Sequence, residues 1–368
     1  MQAVSQIEPT TYVGPTQVLD LARSLEGLRT EAVDYVVEGA DLYCLVVEPD
    51  EISLEFGKAA PQPNVCLAWQ IAGEKKTLPL TRWAQTQLSD ACGIPIRYWD
   101  RMAEAGKYDL LAENVNKWLP DLTGRRLRTY PGLVRAVVSN RFRALDNYDL
   151  LLAAIKAARG STAEVQKADV TESRLYLRMI DPVHTIRLGD GSDLHPGVVI
   201  RNSEVGNGAL MIAPYLWRQV CSNGAILKHA LREIHVGTKV ETGLLSHETI
   251  ALEGELAYRA AEDVITTIFR DQSRFEEYVQ SMDESLGVRI ADPPKVVESM
   301  TLRRQVTKTE AELILATLVS DPTISPEHRG TEFALRQAVS AVARDMKNPD
   351  RAAELEMLAA RVSVEELI

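Results

Sequence analysis

The chain has 368 residues, 45% of them hydrophobic and 25% charged, and a net charge of −11. This is ordinary globular composition, which excludes disorder as the main state, and the length suits about two domains at roughly 150 residues each. Taken whole, the negative charge argues against a nucleic-acid binder.

Residues 1–8 carry no basic region and no apolar core of a secretory signal, and no stretch approaches the roughly 18 consecutive apolar residues of a membrane helix. Cys44, Cys66, Cys92 and Cys221 lie far apart with no Cys-x-x-Cys pair, as expected of thiols in a reducing cytosol. A cytoplasmic protein is the expectation. Residues 14–29 place Val18, Leu19, Ala22, Leu25 and Leu28 on one helical stripe behind Thr16. The period then changes to β-branched and aromatic runs at 33–37, 42–47 and 65–69, separated by turn-forming segments, and predicts strands of a small sheet. Three short helices follow within 79–119, punctuated by Pro79, Gly93, Pro95, Gly106 and Pro120.

The centre is strand-rich. Residues 125–130, a Pro131-Gly132 turn and residues 133–138 predict a hairpin. Asp146-Asn147 caps a helix through about residue 158, and strands are expected at 173–180, 184–188 and 197–201, with a further apolar run at 209–213. Beyond 245 the period is helical: one long helix over 247–281, a break at Pro293-Pro294, then helices near 308–319, 326–346 and 350–361. The fold class is α+β, a central antiparallel-rich sheet with short helices followed by a helical C-terminal part. The expected regions are 1–120 (small sheet plus helices), 121–245 (basic β-rich core) and 246–368 (acidic and helical).

No catalytic constellation emerges, so the chain reads as a protein that is not an enzyme and needs no cofactor. There is no Walker A loop, no Gly-x-Gly-x-x-Gly after a strand and no Gly-x-Ser-x-Gly elbow. His184, His195, Cys221, His229 and His235 invite a zinc reading, but none of their spacings matches a paired-ligand pattern, and no metal is expected.

What remains is a binding surface. Net charge is −7 over residues 1–120, +6 over 121–240 and −10 over 241–368. Local field decides where a polyanion docks, although the same distribution suits acidic helices covering a basic sheet. Arg125, Arg126, Arg128, Arg135, Arg141 and Arg143 fall within 19 residues that hold no acid, with Tyr130 and Phe142 interleaved. Arg126 and Arg128 alternate with Leu127 and Thr129, so one face of the hairpin is expected to be basic and exposed while the other packs. Guanidinium forks suit phosphate oxygens, and an aromatic beside them can stack on an unpaired base. The alternative is a sheet face whose arginines pair with Asp or Glu of the helical part.

Two blocks carry a resemblance. Leu127-Arg128-Thr129-Tyr130-Pro131-Gly132-Leu133-Val134-Arg135-Ala136-Val137-Val138-Ser139-Asn140-Arg141-Phe142-Arg143-Ala144-Leu145-Asp146-Asn147 resembles the core of the phage/plasmid-like family, domain of unknown function 932. Gly197-Val198-Val199-Ile200-Arg201-Asn202-Ser203-Glu204-Val205-Gly206, followed by Val220-Cys221-Ser222-Asn223-Gly224, is similar to the family's second conserved segment, and the likeness spans about residues 75–245. The resemblance implies a phage or plasmid origin and no defined activity. Such mobile elements carry recombination and replication genes, and by analogy the expected protein is a non-catalytic, single-stranded-DNA-binding annealing or recombination factor that forms homo-oligomers. Its expected contacts are Arg125, Arg126, Arg128, Tyr130, Arg135, Arg141, Phe142, Arg143, Arg201 and Asn202. Asn202, Ser203 and Glu204 either bond the neighbouring loop or reach a ligand. The other function class left open is a protein-interaction or anti-defence factor that binds a host protein through its acidic surface.

Overall fold

The structure is a computed structural model that describes residues 9–48, 64–71, 73–219, 223–227, 231–233, 246–271 and 273–367. Its elements in chain order are β1 (Thr10–Val13), α1 (Val18–Thr30), β2 (Val33–Val37), β3 (Leu42–Val47), β4 (Asn64–Ile71), β5 (Glu74–Pro79), α2 (Arg82–Ala91), α3 (Ile96–Glu104), α4 (Tyr108–Trp118), β6 (Arg125–Tyr130) and β7 (Leu133–Ser139). Next come α5 (Asn147–Ala157), β8 (Glu164–Val170), β9 (Leu175–Ile180), β10 (Ile186–Arg187), β11 (Asp193–Asn202), β12 (Leu210–Arg218), β13 (Asn223–Ile226) and β14 (Leu231–Glu233). The last helices are α6 (His247–Arg270), α7 (Ser273–Gly287), α8 (Pro293–Leu302), α9 (Lys308–Ser320), α10 (Glu332–Asp345), α11 (Pro349–Arg361) and α12 (Val364–Leu367). The class is α+β, with antiparallel sheets in the first part of the chain and helices in the last.

A central antiparallel sheet runs β1-β8-β9-β11-β12-β13, with β10 on β11 and β14 on β12; two three-stranded sheets run β2-β6-β7 and β3-β4-β5. The middle of the central sheet is covered on both faces. Leu177, Ile200 and Ile212 point into a core completed by Leu25 of α1, Leu151 of α5, Ile265 of α6 and Phe275 of α7. Tyr176, Val199, Ala213 and Tyr215 point the other way and meet Ala353 of α11. Strands sandwiched this way read as unbroken apolar runs, and every residue of β9 is buried. A second core joins Trp69, Leu80, Leu88, Trp99, Leu111, Leu127 and Val137 around the small sheets, and a third joins α8 to α12.

The packing crosses the three regions expected from sequence. β2 pairs β6 from Val33↔Thr129 to Val37↔Arg125, and β1 pairs β8, so residues 1–120 share both sheets with residues 121–245. Among the last helices, α6 and α7 belong to the central core, while α8 to α12 form their own.

Strands β1, β5, β8, β13 and β14 form where the sequence reading placed no element, and three expected elements change form. The single helix over 247–281 is two, because Asp271 leaves helical geometry and its carboxylate accepts the Ser273 amide at 3.1 Å at the start of α7. The apolar period runs on through the break because Ile268, Phe275 and Met282 all face one core. Pro293-Pro294 opens a helix rather than merely ending one: Asp292 accepts from Lys295 N, and proline is favoured in the first turn, where its missing N–H has no partner to lose. The strand expected at 184–188 shrinks to Ile186–Arg187. No helix among the described residues is long and apolar enough to cross a membrane.

Candidate nucleic-acid interface

β6 lies between β2 and β7, with Leu127 in the small-sheet core. Alternation puts Arg126 and Arg128 on the other face, as expected, but that face is not open to solvent. Arg128 is 5% exposed; its Nη2 donates to Asp146 Oδ1, and its Nη1 lies 3.9 Å from Asp34 Oδ2. Arg126, beside it, lies 3.4 Å from the same Asp34 carboxylate and retains 21% side-chain exposure. Burial works against the charge on Arg128, yet Asp146, Asp34 and Glu204 outweigh it and hold the guanidinium above its ordinary pKa. Burial also lifts the Asp146 carboxyl above the usual range, with Arg128 opposing it.

On β7, Arg135 is 3% exposed and donates from Nη1 to Glu204 Oε2 at 3.2 Å. Glu204 is itself 1% exposed, and its Oε1 accepts the Asn147 amide at 2.8 Å. A carboxylate there meets the unsatisfied N–H groups and positive end of α5. Asn202 is fully buried: its Nδ2 donates to Leu145 O at 2.6 Å and to Asn147 Oδ1 at 2.8 Å. The other residues of this block bond the neighbouring loop and helix. Ser203 Oγ accepts Asn207 N at 2.7 Å, and Val205 O accepts Trp83 Nε1 at 2.9 Å and Gln87 Nε2 at 2.7 Å. Gly206 has φ +78°, which favours glycine, and a Cβ there would stand tightly, 3.0 Å from Val138 Cγ1. The 202–206 segment thus fastens the β6–β7 hairpin and α2 to the end of the central sheet.

Of the expected base-stacking aromatics, one is enclosed and one is partly exposed. Phe142 is buried against this clasp, and half-buried Tyr130 packs on the central core. Arg143 pairs with Glu253 of α6 at 3.3 Å and donates to Asn140 O. The exposed arginine face expected of the hairpin is therefore corrected for Arg128 and Arg135, which lie buried in ion pairs, and Phe142 and Asn202 are likewise enclosed. The acids responsible come from β2, from the loop and strand ends near α5, and from α6, which the chain order holds far from the hairpin.

What remains open is a smaller set. Among the described residues, Arg125, Arg126, Arg128, Arg135, Arg178 and Arg201 each have a buried Nε with no acceptor. Arg126, Arg128, Arg135 and Arg178 carry a carboxylate on their terminal nitrogens. Arg125 and Arg201 have no hydrogen bond or ion pair at any side-chain nitrogen among the described residues, and both are partly exposed. Arg141 is exposed just beyond the open end of the hairpin. Arg125 lies close enough to Cys92 to oppose the burial that pushes that thiol up to about 11. Glu204, central to the junction, stands in the sequence beside Asn202 and Ser203 as a group that bonds the neighbouring loop or reaches a ligand, and its pairing with Arg135 is not legible there. Among the described residues no three His, Cys, Asp or Glu side chains gather as a metal site, and Cys221, His229 and His235 lie outside the described residues.

No family model, no curated protein and no solved structure matches the chain. The likeness to the phage/plasmid-like family rests on the quoted residue blocks alone.

Proposed function

We propose that the protein binds nucleic acid, single-stranded DNA by preference, as a non-catalytic annealing or recombination factor of phage or plasmid origin. The observation that carries the reading is the pair Arg125 and Arg201, partly exposed guanidinium groups without an acceptor among the described residues while their neighbours are paired. Their Nε atoms are covered, but the terminal nitrogens are not, and these offer a phosphate oxygen the fork geometry that arginine prefers. With Arg141 they make three contacts to the backbone. Arg128, Arg135 and Asn202 hold the platform, and Phe142 packs beneath it. With no aromatic of the hairpin fully exposed, affinity comes from phosphates and discriminates poorly between sequences.

A gel-shift series against salt tests this with single- and double-stranded oligonucleotides. Three phosphate contacts give a log–log slope of about −2 on single strands, rather than the roughly −4 that all six hairpin arginines would produce. No binding at low salt refutes the proposal and favours the other class, a host-protein binder. That class is supported by Leu313 and Val319, exposed apolar side chains on α9 within the acidic helical part.

A further inference from the structure

We infer that Arg201 and Arg232 form a phosphate subsite at the end of the central sheet, a second contact for the nucleic-acid backbone separate from the open end of the hairpin. This rests on the nucleic-acid reading above and adds Arg232, which lies outside both motif blocks.

The strand register lines up one row across five strands: Asp169↔Tyr176, Tyr176↔Arg201, Arg201↔Met211 and Met211↔Arg232. Directly opposed residues share a face, so Arg201 and Arg232 flank Met211 on the same side of the sheet. They stand two strands apart, about 10 Å at the backbone, within reach of one phosphate group or of two neighbouring ones.

The acids of this row already have partners. Asp169 lies 3.0 Å from Arg178 and 3.2 Å from Lys167, and Asp350 of α11 lies 3.0 Å from Arg174 while also accepting the Tyr176 hydroxyl. Arg232 is exposed, and neither it nor Arg201 has an ion pair among the described residues. Arg201 is held by the sheet with its Nε covered, and the side chain is only partly enclosed. An arginine anchored in a strand gives up less freedom on binding than one on a mobile loop.

The subsite is continuous with the open end of the hairpin. Arg174 bonds Asn207 O at 2.6 Å and Asn207 Oδ1 at 2.9 Å, and its guanidinium stands 3.8 Å from the Cβ position of Gly208. Two residues earlier, the Cβ position of Gly206 is 3.5 Å from Phe142, next to exposed Arg141. The 203–208 loop thus touches Arg174, which neighbours the Arg201 row through Tyr176, at one end and Phe142 at the other, and a strand contacting both groups of arginines would pass along it.

The test compares wild type, R201Q/R232Q, R201K/R232K and R125Q/R141Q for binding to single-stranded and duplex oligonucleotides over a salt series, with thermal melting alongside. R201Q/R232Q is expected to melt with wild type, to lose affinity for all sequences alike, and to reduce the salt slope by about 1.4 on single strands. R201K/R232K, which keeps the charge, retains the slope. If wild type binds, but R201Q/R232Q keeps the full slope while R125Q/R141Q loses it, the subsite is refuted and the binding reading stands. An early melt with an unchanged slope likewise refutes it, because the two arginines would then be structural. If wild type binds no oligonucleotide at low salt, both fall together.

Discussion

Replacing Glu204 with alanine removes one carboxylate from a site that is 1% exposed, and two donors lose their acceptor at once. Arg135, 3% exposed, loses the Oε2 it meets at 3.2 Å, and the Asn147 amide loses Oε1 at 2.8 Å. Breaking a buried pair from one side costs about 3–5 kcal/mol, because the surviving charge stays in a low-dielectric site. The orphaned amide adds about 1–3 kcal/mol. Against a whole-protein stability of about 5–15 kcal/mol, E204A should unfold at markedly lower urea concentration or fail to accumulate. R135M/E204Q supplies the control. It removes both charges, keeps an acceptor for Asn147 N, and fills the arginine's volume with an apolar chain, so it should recover most of the loss. Urea unfolding followed by circular dichroism measures all three proteins. A value for E204A within about 1 kcal/mol of wild type, the range of an exposed pair, would refute the buried-pair account. So would a double variant no more stable than E204A.

Two further outcomes rest on the same physical chemistry. Arg126 and Arg128, neighbours on one strand face, should behave differently: R128M costs about 3–5 kcal/mol because it strands Asp146, whereas R126A, whose pair with Asp34 is partly exposed, costs about 0–1 kcal/mol. Equal effects in urea unfolding would show that burial does not separate them. In the capping box of α9, hydrogen bonds from Arg351, opposed by burial and aided by the Thr307 amide, hold the Glu310 carboxyl down at about 2 from 4.5. A carboxylate with a depressed folded pKa stabilises above its unfolded value and loses that contribution as pH falls through the folded one. The stability gap between wild type and Glu310→Gln should therefore be full above about pH 5 and close toward pH 2; a gap that persists at pH 2 contradicts the assignment.

The period of the apolar residues by itself determined most of the elements and the α+β class, since periods of 3.6 and 2 are local properties of the chain. Leu25 and Leu28 of the expected stripe are buried in α1, although Leu19 is exposed and Leu21 takes its place in the core, and the hairpin at 125–139 forms around Pro131-Gly132. The two motif blocks, 127–147 and 197–206, also stand out in the sequence, and the structure joins them through Arg135–Glu204 and Asn202–Leu145. Whether an arginine is paired or free was not legible, because it depends on which acids the fold brings to it, several of them remote in sequence. Asp34 lies 92 residues before Arg126, and Glu204 lies 69 residues after Arg135. The alternation of Arg126, Leu127 and Arg128 states which face each side chain takes; it does not state whether the polar face meets water or a second layer. Here the N-terminal end of α5 and its preceding loop cover that face, and the buried guanidinium of Arg128 is tolerated because Asp146 compensates the desolvation. Arg201 shows the converse. Its strand, buried along almost its whole length, reads as core; the register of β9, β12 and β14 sets Arg201 and Arg232 on one face two strands apart, with no acid paired to either among the described residues.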